Sequence, residues 1–285
     1  MHVALGANKL LHGREDTMKI GLAQMNTGND KAANIASAEK LIDNLASSGA
    51  QLVVLPEYFN FIGPEEFWRE NSEELAASPS LERMRKKAVE HSVYLHCGSI
   101  MEKKGNNVHN TSVVFDPNGD IVATYRKIHL FDVEVPGGRR YLESDIITPG
   151  HGLAVFRVGE IIFGLATCYD LRFPELFRAL SARGVHVILL PAAFTMMTGK
   201  DHWQLLLRAR AVENLCYVAA ADQYGSCPPN HMSYGRSMVV DPWGVVVAQA
   251  GDGIMAITAD VDMLRLAEIR KSFPCLDHIR RDMFE

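Results

Sequence analysis

The chain has 285 residues, 47% of them hydrophobic, enough to bury a sizeable core in one large domain or two small ones. Lys and Arg total 29 against 34 Asp and Glu, a net charge of −5 without a basic block, which argues against a nucleic-acid partner. No uncharged apolar stretch approaches the length of a bilayer crossing, so no membrane partner is expected. Five widely spaced cysteines (Cys97, Cys168, Cys216, Cys227 and Cys275) form no C-x-x-C pair. They speak against a disulfide framework or a zinc site and for a reducing, cytoplasmic setting. Neither an H-E-x-x-H pattern nor a glycine-rich phosphate loop is present, so a catalyst built here is expected to need no metal or nucleotide cofactor.

Residues 1–17 do not read as a signal peptide, because Lys9 interrupts their only apolar stretch. They are expected to be a poorly ordered leader or extension. Met18–Met25 reads as the first strand, and Asp30 can cap a helix running to about Ser47. A buried strand at Gln51–Pro56, a charged helix at Pro79–Glu90 and a strand at Val93–Ile100 follow. Thr111–Phe115 and Ile121–Tyr125 flank Asp116-Pro117-Asn118-Gly119, a hairpin turn.

A second round resembles the first. A strand ends at Cys168, a helix starts from Pro174, and Val185–Leu190 is a buried strand. A long helix covers roughly His202–Asn214, before strands at Cys216–Ala221 and Arg236–Val240. Asp241-Pro242-Trp243-Gly244 repeats the hairpin turn and leads into Val245–Gln249 and Ile254–Asp260. Met263–Lys271 is helical, and the apolar tail Phe273–Leu276 is expected to lie on the molecule or on a partner subunit. Two pseudo-repeated α/β halves without a Gly/Ser/Pro-rich linker predict one domain over residues 18–285, with helices covering both outer faces of its sheets.

Three reactive side chains each follow a strand: Glu57, Lys127 and Cys168. Strand ends are where α/β folds place ligands. A carboxylate beside a thiol takes its proton, and an ammonium stabilises the oxyanion formed on an attacked carbonyl. Together they would make an acyl-transfer site. Cys168 is read at a sharp strand-to-helix corner, where a helix dipole lowers a thiol pKa. Taken singly, a buried Cys is usually inert, Glu57 and Glu143 are ordinary loop acids, and Lys127 is one surface cation among several. Asp170 and Glu175 read as helix N-terminal charges, and His129 as a structural hydrogen-bonder. The direction of the strand before Lys127 is open, so convergence of the three is not established by spacing.

The runs Leu55-Pro56-Glu57, Tyr125-Arg126-Lys127-Ile128-His129-Leu130-Phe131-Asp132 and Cys168-Tyr169-Asp170-Leu171-Arg172-Phe173-Pro174-Glu175-Leu176 resemble the nitrilase superfamily of carbon–nitrogen hydrolases. So do Gly199–Trp203, Arg208–Asn214 and Tyr234–Gly244, and the likeness extends from about Met18 to the C-terminus. The resemblance implies a four-layer αββα sandwich, assembled as a homodimer or higher homo-oligomer. It makes Cys168 the nucleophile, Glu57 the general base and Lys127 the oxyanion partner. It further implies that Glu143 supports the lysine and that the Tyr169 N–H completes the oxyanion site.

Cys-Tyr-Asp in place of Cys-Trp-Glu speaks against nitriles. The sequence resembles the branch holding deaminated glutathione amidase and omega-amidase, which open small amides of 2-oxo acids; the first activity is the expected one and the second the alternative. Arg172 is the candidate clamp for a substrate carboxylate, with Arg139 and Arg140 as further cations. A general amidase or nitrilase, a catalytically silent scaffold and a thiol redox sensor stay open as other readings.

Overall fold

The computed structural model describes residues 16–134, 140–229 and 231–283. Of the expected 17-residue extension only Asp16 and Thr17 fall among them, and Thr17 already belongs to the first strand.

In the first half, β1 (Thr17–Gln24) leads to α1 (Lys31–Ser47), whose N-cap Asp30 accepts the Ala33 N–H at 3.0 Å. β2 (Leu52–Val54) and a short α2 (Trp68–Asn71) precede α3 (Pro79–His91), which opens on an N-cap Ser78 with Pro79 in the first turn. Then come β3 (Tyr94–His96), β4 (Ile100–Lys104), β5 (Asn107–Phe115) and β6 (Ile121–Arg126). The hairpin of β7 (Asp132–Glu134) and β8 (Arg140–Leu142) joins the halves.

The second half runs β9 (Val155–Val158), β10 (Ile161–Leu165), α4 (Pro174–Ser181), β11 (Val187–Ala192), a short α5 (Met196–Thr198) and α6 (Gln204–Asn214). It continues through β12 (Tyr217–Asp222), the hairpin of β13 (Tyr224–Cys227) and β14 (His231–Tyr234), β15 (Met238–Val240) and β16 (Val246–Gln249). β17 (Met255–Asp262) and α7 (Met263–Ser272) complete it.

Two sheets result. One has the order β17-β1-β2-β3-β5-β4, with β6 on the other edge of β5; the second has the order β16-β15-β12-β11-β10-β9. Their registers match residue by residue. Ile20 pairs Leu52 in parallel as Phe163 pairs Val187, and Leu52 pairs Tyr94 as Val187 pairs Tyr217. Leu95 pairs Phe115 antiparallel as Val218 pairs Val240. A bulge follows in both, and in both turns the Asp side chain accepts two backbone N–H groups while Gly119 and Gly244 take φ of 84° and 82°. The pseudo-repeat is real.

Alternation along the strands builds the layers. Leu52, Val54, Val187, Leu189, Tyr217 and Ala219 face inward into one core between the sheets. Val53, Leu55 and Leu95 face outward under α1 and α3, and Ile188, Leu190 and Val218 under α4 and α6. The architecture is the four-layer αββα sandwich. Among the described residues no helix is long and apolar enough to cross a membrane.

Two local expectations change. Val93–Ile100 is not one strand: the chain breaks at Gly98, φ 53°, where a Cβ would stand 1.9 Å from the Pro56 carbonyl oxygen. The helix expected from His202 begins as a π-turn over Gly199–Trp203 before α6. The two hairpins β7–β8 and β13–β14 carry no strong alternation in sequence and were not foreseen.

Candidate active site

β6 runs antiparallel to β5, and β5 antiparallel to β3, so β6 ends at the same rim as β2 and β3. That settles the open direction. Glu57 stands three residues past β2, Lys127 directly past β6, and Cys168 three residues past β10; Glu143 opens a 3-10 turn after β8. All four line one cavity of about 930 Å³, counting its open mouth.

Lys127 Nζ lies 3.1 Å from Glu57 Oε1 and 2.8 Å from Glu143 Oε2, and its side chain is 2% exposed. Glu57 Oε1 also accepts Asn110 Nδ2 at 2.7 Å, and Oε2 accepts the Ala193 N–H at 2.9 Å. Glu143 further accepts the Phe131 N–H at 2.7 Å, the Tyr58 hydroxyl at 2.9 Å and Asn110 Nδ2 at 3.2 Å. Burial alone would push the lysine down, but the carboxylates of Glu143 and Glu57 overcome it and hold Lys127 well above the ordinary lysine value. Burial likewise raises Glu143, and Lys127 with the donated hydrogen bonds brings it below the usual carboxylate value. Lys127 is thus a fixed cation.

Cys168 begins a 3-10 turn, Cys168–Arg172, at φ 46°, a left-handed conformation that a non-glycine residue adopts at a cost. Burial, with Glu57 adding to it, raises the thiol well above the usual cysteine value; Lys127 opposes the shift without reversing it. The expected low-pKa thiol is therefore corrected. α4 starts six residues later, and the lysine is already neutralised by two carboxylates. The resting group is a buried thiol in the field of the Glu57 carboxylate, with which it lines the same cavity.

A model of the carbon–nitrogen hydrolase family matches residues 19–271. The chain belongs to the carbon–nitrogen hydrolase family. Omega-amidase NIT2 of Xenopus tropicalis is 40% identical over 266 residues, 93% of this chain and 96% of that protein. Among solved structures, the Caenorhabditis elegans NitFhit protein superposes with a TM-score of 0.85 at 36% identity, over 95% of this chain but 66% of NitFhit, which is the longer protein. Saccharomyces cerevisiae Nit3, a member of branch 10 of the nitrilase superfamily, gives 0.83 at 31% identity, over 91% and 95%.

In this carbon–nitrogen hydrolase the remaining candidates fall in different places. Tyr169 lines the cavity. Arg172 is not among the lining residues: its guanidinium lies over the rings of Tyr169 and Phe194, which do line it, at 5.8 and 5.2 Å, and 3.3 Å from His202 Nδ1. Arg140 is exposed on β8, and Arg139 lies outside the described residues. Asp170 is the first-turn acid of the Cys168–Arg172 turn, closing its capping box on the Thr167 N–H, but it does more than that. It is fully buried and accepts hydrogen bonds from four donors. Sequence reasoning also missed Asn110, whose amide bridges the two glutamates, and Tyr58. A neutral Asn on a strand carries no pattern that marks it, whereas Tyr58, adjacent to Glu57, could have been found once Glu57 was chosen.

Proposed function

We propose that this amidase is an omega-amidase, opening the terminal amide of a 2-oxo dicarboxylic acid such as 2-oxoglutaramate. The carrying observation is the buried Glu57–Lys127–Glu143 cluster against the Cys168 thiol, in a chain 40% identical to an omega-amidase along nearly its whole length. This favours the alternative over deaminated glutathione amidase, the activity first expected from sequence.

Glu57 accepts the Cys168 proton as sulfur attacks the amide carbonyl. Lys127 Nζ and the Tyr169 N–H hold the tetrahedral oxyanion. Its collapse breaks the C–N bond, Glu57 returns the proton to nitrogen, and ammonia leaves a thioester on Cys168. Glu57 then deprotonates a water that attacks the thioester; the acid leaves and the proton returns to sulfur. Arg172, behind Tyr169 and Phe194, supplies the positive field for the distant carboxylate.

A second copy of the chain is the proposed partner, besides the small-molecule amide. Leu205 and Val212 on α6, Trp243 and Phe273 are exposed, and the Trp243 and Phe273 rings meet 5.8 Å apart, which supports a shared apolar face. Five free thiols support the proposed reducing, cytoplasmic setting, suited to metabolite repair.

Product release from 2-oxoglutaramate, deaminated glutathione and an aliphatic nitrile tests the reading, with Cys168→Ala as control. Turnover of 2-oxoglutaramate above the others is expected and the control is inactive. Preference for deaminated glutathione restores the first expectation, and preference for the nitrile rejects both.

A further inference from the structure

Asp170 stands two residues past Cys168 and is fully buried. Its Oδ2 accepts the Thr167 N–H at 2.8 Å, closing a capping box on the nucleophile turn, and the Tyr125 hydroxyl at 2.7 Å. Its Oδ1 accepts the His129 N–H at 3.1 Å and lies 2.7 Å from His129 Nδ1. Tyr125 and His129 stand two residues on either side of Lys127. His129 in turn stacks on Phe173, just past the nucleophile turn, with ring centroids 3.7 Å apart and planes 7° from parallel.

No strand-to-strand ladder joins the lysine strand to the nucleophile strand, because β6 and β10 belong to different sheets. Apolar packing between sheets tolerates small slides that a catalytic distance does not. A buried carboxylate with no Lys or Arg partner among its contacts is a costly way to fill space, and an apolar side chain would fill it with less desolvation. What the carboxylate adds is direction: two oxygens, each binding a backbone N–H from a different catalytic element.

We propose that Asp170 is a positioning residue that pins the nucleophile turn to both shoulders of Lys127 and so sets the Cys168-to-Lys127 distance. This rests on the reading of Cys168 as nucleophile and Lys127 as oxyanion partner.

Asp170→Asn is the sharpest perturbation, because neither amide orientation fits. With nitrogen at Oδ1 it opposes the His129 N–H, and with nitrogen at Oδ2 it opposes the Thr167 N–H; neither backbone donor can become an acceptor. Tyr125→Phe removes one lysine-side bond only and leaves the capping box intact.

The test measures kcat and KM for both variants and the wild type, and Cys168 alkylation by iodoacetamide at neutral pH. Alkylation at a saturated carbon forms no oxyanion, so it needs Cys168 and Glu57 but not a well-placed Lys127. Asp170→Asn should lower kcat about 100-fold with KM little changed. Tyr125→Phe should lower kcat less, with alkylation at the wild-type rate. Wild-type kcat in both variants overturns the proposal, as does a parallel fall of alkylation and kcat in Tyr125→Phe, which would mark general loosening. If Asp170→Asn does not fold, Tyr125→Phe decides by the same criteria. The kinetics are read on whichever amide the wild type hydrolyses, so a wrong substrate leaves the variant ratios interpretable.

Discussion

Glu143→Gln isolates what the second glutamate's charge does. Glu143 Oε2 binds Lys127 Nζ and the Phe131 N–H, while Oε1 binds the Tyr58 hydroxyl and Asn110 Nδ2. A glutamine must put its nitrogen at one of these places. At the first it meets an ammonium; at the second Tyr58 can turn its hydroxyl to accept, and only Asn110 is left opposed. The oxygen therefore stays on Lys127, and the main loss is charge. Two unit charges 2.8 Å apart interact by about 6 kcal/mol at an effective dielectric of ~20. Relief from burying Glu143 offsets part of that, and broken buried pairs generally cost about 3–5 kcal/mol. That is the stability loss expected in urea denaturation near pH 7.

Catalysis should suffer through the same contact. With one full carboxylate left, Lys127 is drawn towards Glu57 and away from the oxyanion, at a cost of about 10²–10³ in kcat. The pH dependence carries a definite sign. Glu143 has a native pKa below 4.5, so its contribution is complete above that value and fades as pH falls through the native one. The gap between wild type and variant should therefore narrow in acid. A variant within about 0.5 kcal/mol of wild type, with unchanged kcat, would refute the account of Glu143 as the anchor of Lys127.

Other consequences are simpler to measure. The ultraviolet absorbance difference between wild type and Cys168→Ala should show no thiolate step until above the ordinary thiol value of 9.0, since burial and Glu57 both hold the proton on sulfur; a step at neutral pH would mean that Lys127 prevails. Arg172→Ala should raise KM for acidic amides far more than for neutral ones, and equal losses on both would remove Arg172 from substrate recognition. Gly98→Ala should cost about 3 kcal/mol or more, because its Cβ meets the Pro56 carbonyl at φ 53°, and kcat should fall with it as Glu57 is displaced; a thermal melt at the wild-type temperature would contradict this.

What could be read beforehand follows from what kind of signal each residue leaves. Cys168, Glu57 and Lys127 are reactive types at the ends of apolar runs, so their residue type and place in the chain make them candidates without a structure. Glu143 has no such context: it opens a short turn beside Asp145, and only resemblance selects it. Asn110 left no mark because a neutral amide earns its position from two carboxylates remote in sequence, one 53 residues away. Asp170 was read only in part: it does cap its own turn through the Thr167 N–H, but the same carboxylate also reaches Tyr125 and His129, 45 and 41 residues away, which no local pattern marks.

The same limit explains the thiol. A strand-to-helix corner is a local inference, but the proton on Cys168 is held first by burial, then by Glu57 from the other sheet, against a lysine already paired with two anions. The pseudo-repeat places different residues at equivalent points of the two rims. Cys168 stands three residues past Leu165, where the first half has Met25 three past Leu22; Glu57 stands three past Val54, where the second half has Ala192 three past Leu189. Neither half holds both groups. The two rims share one backbone plan, and the thiol–carboxylate pair exists only because the halves face each other with different residues at equivalent positions. That is why a layered α/β domain was legible from repetition and the four-layer sandwich from resemblance, while the site's electrostatics required knowing which side chains meet across the sandwich.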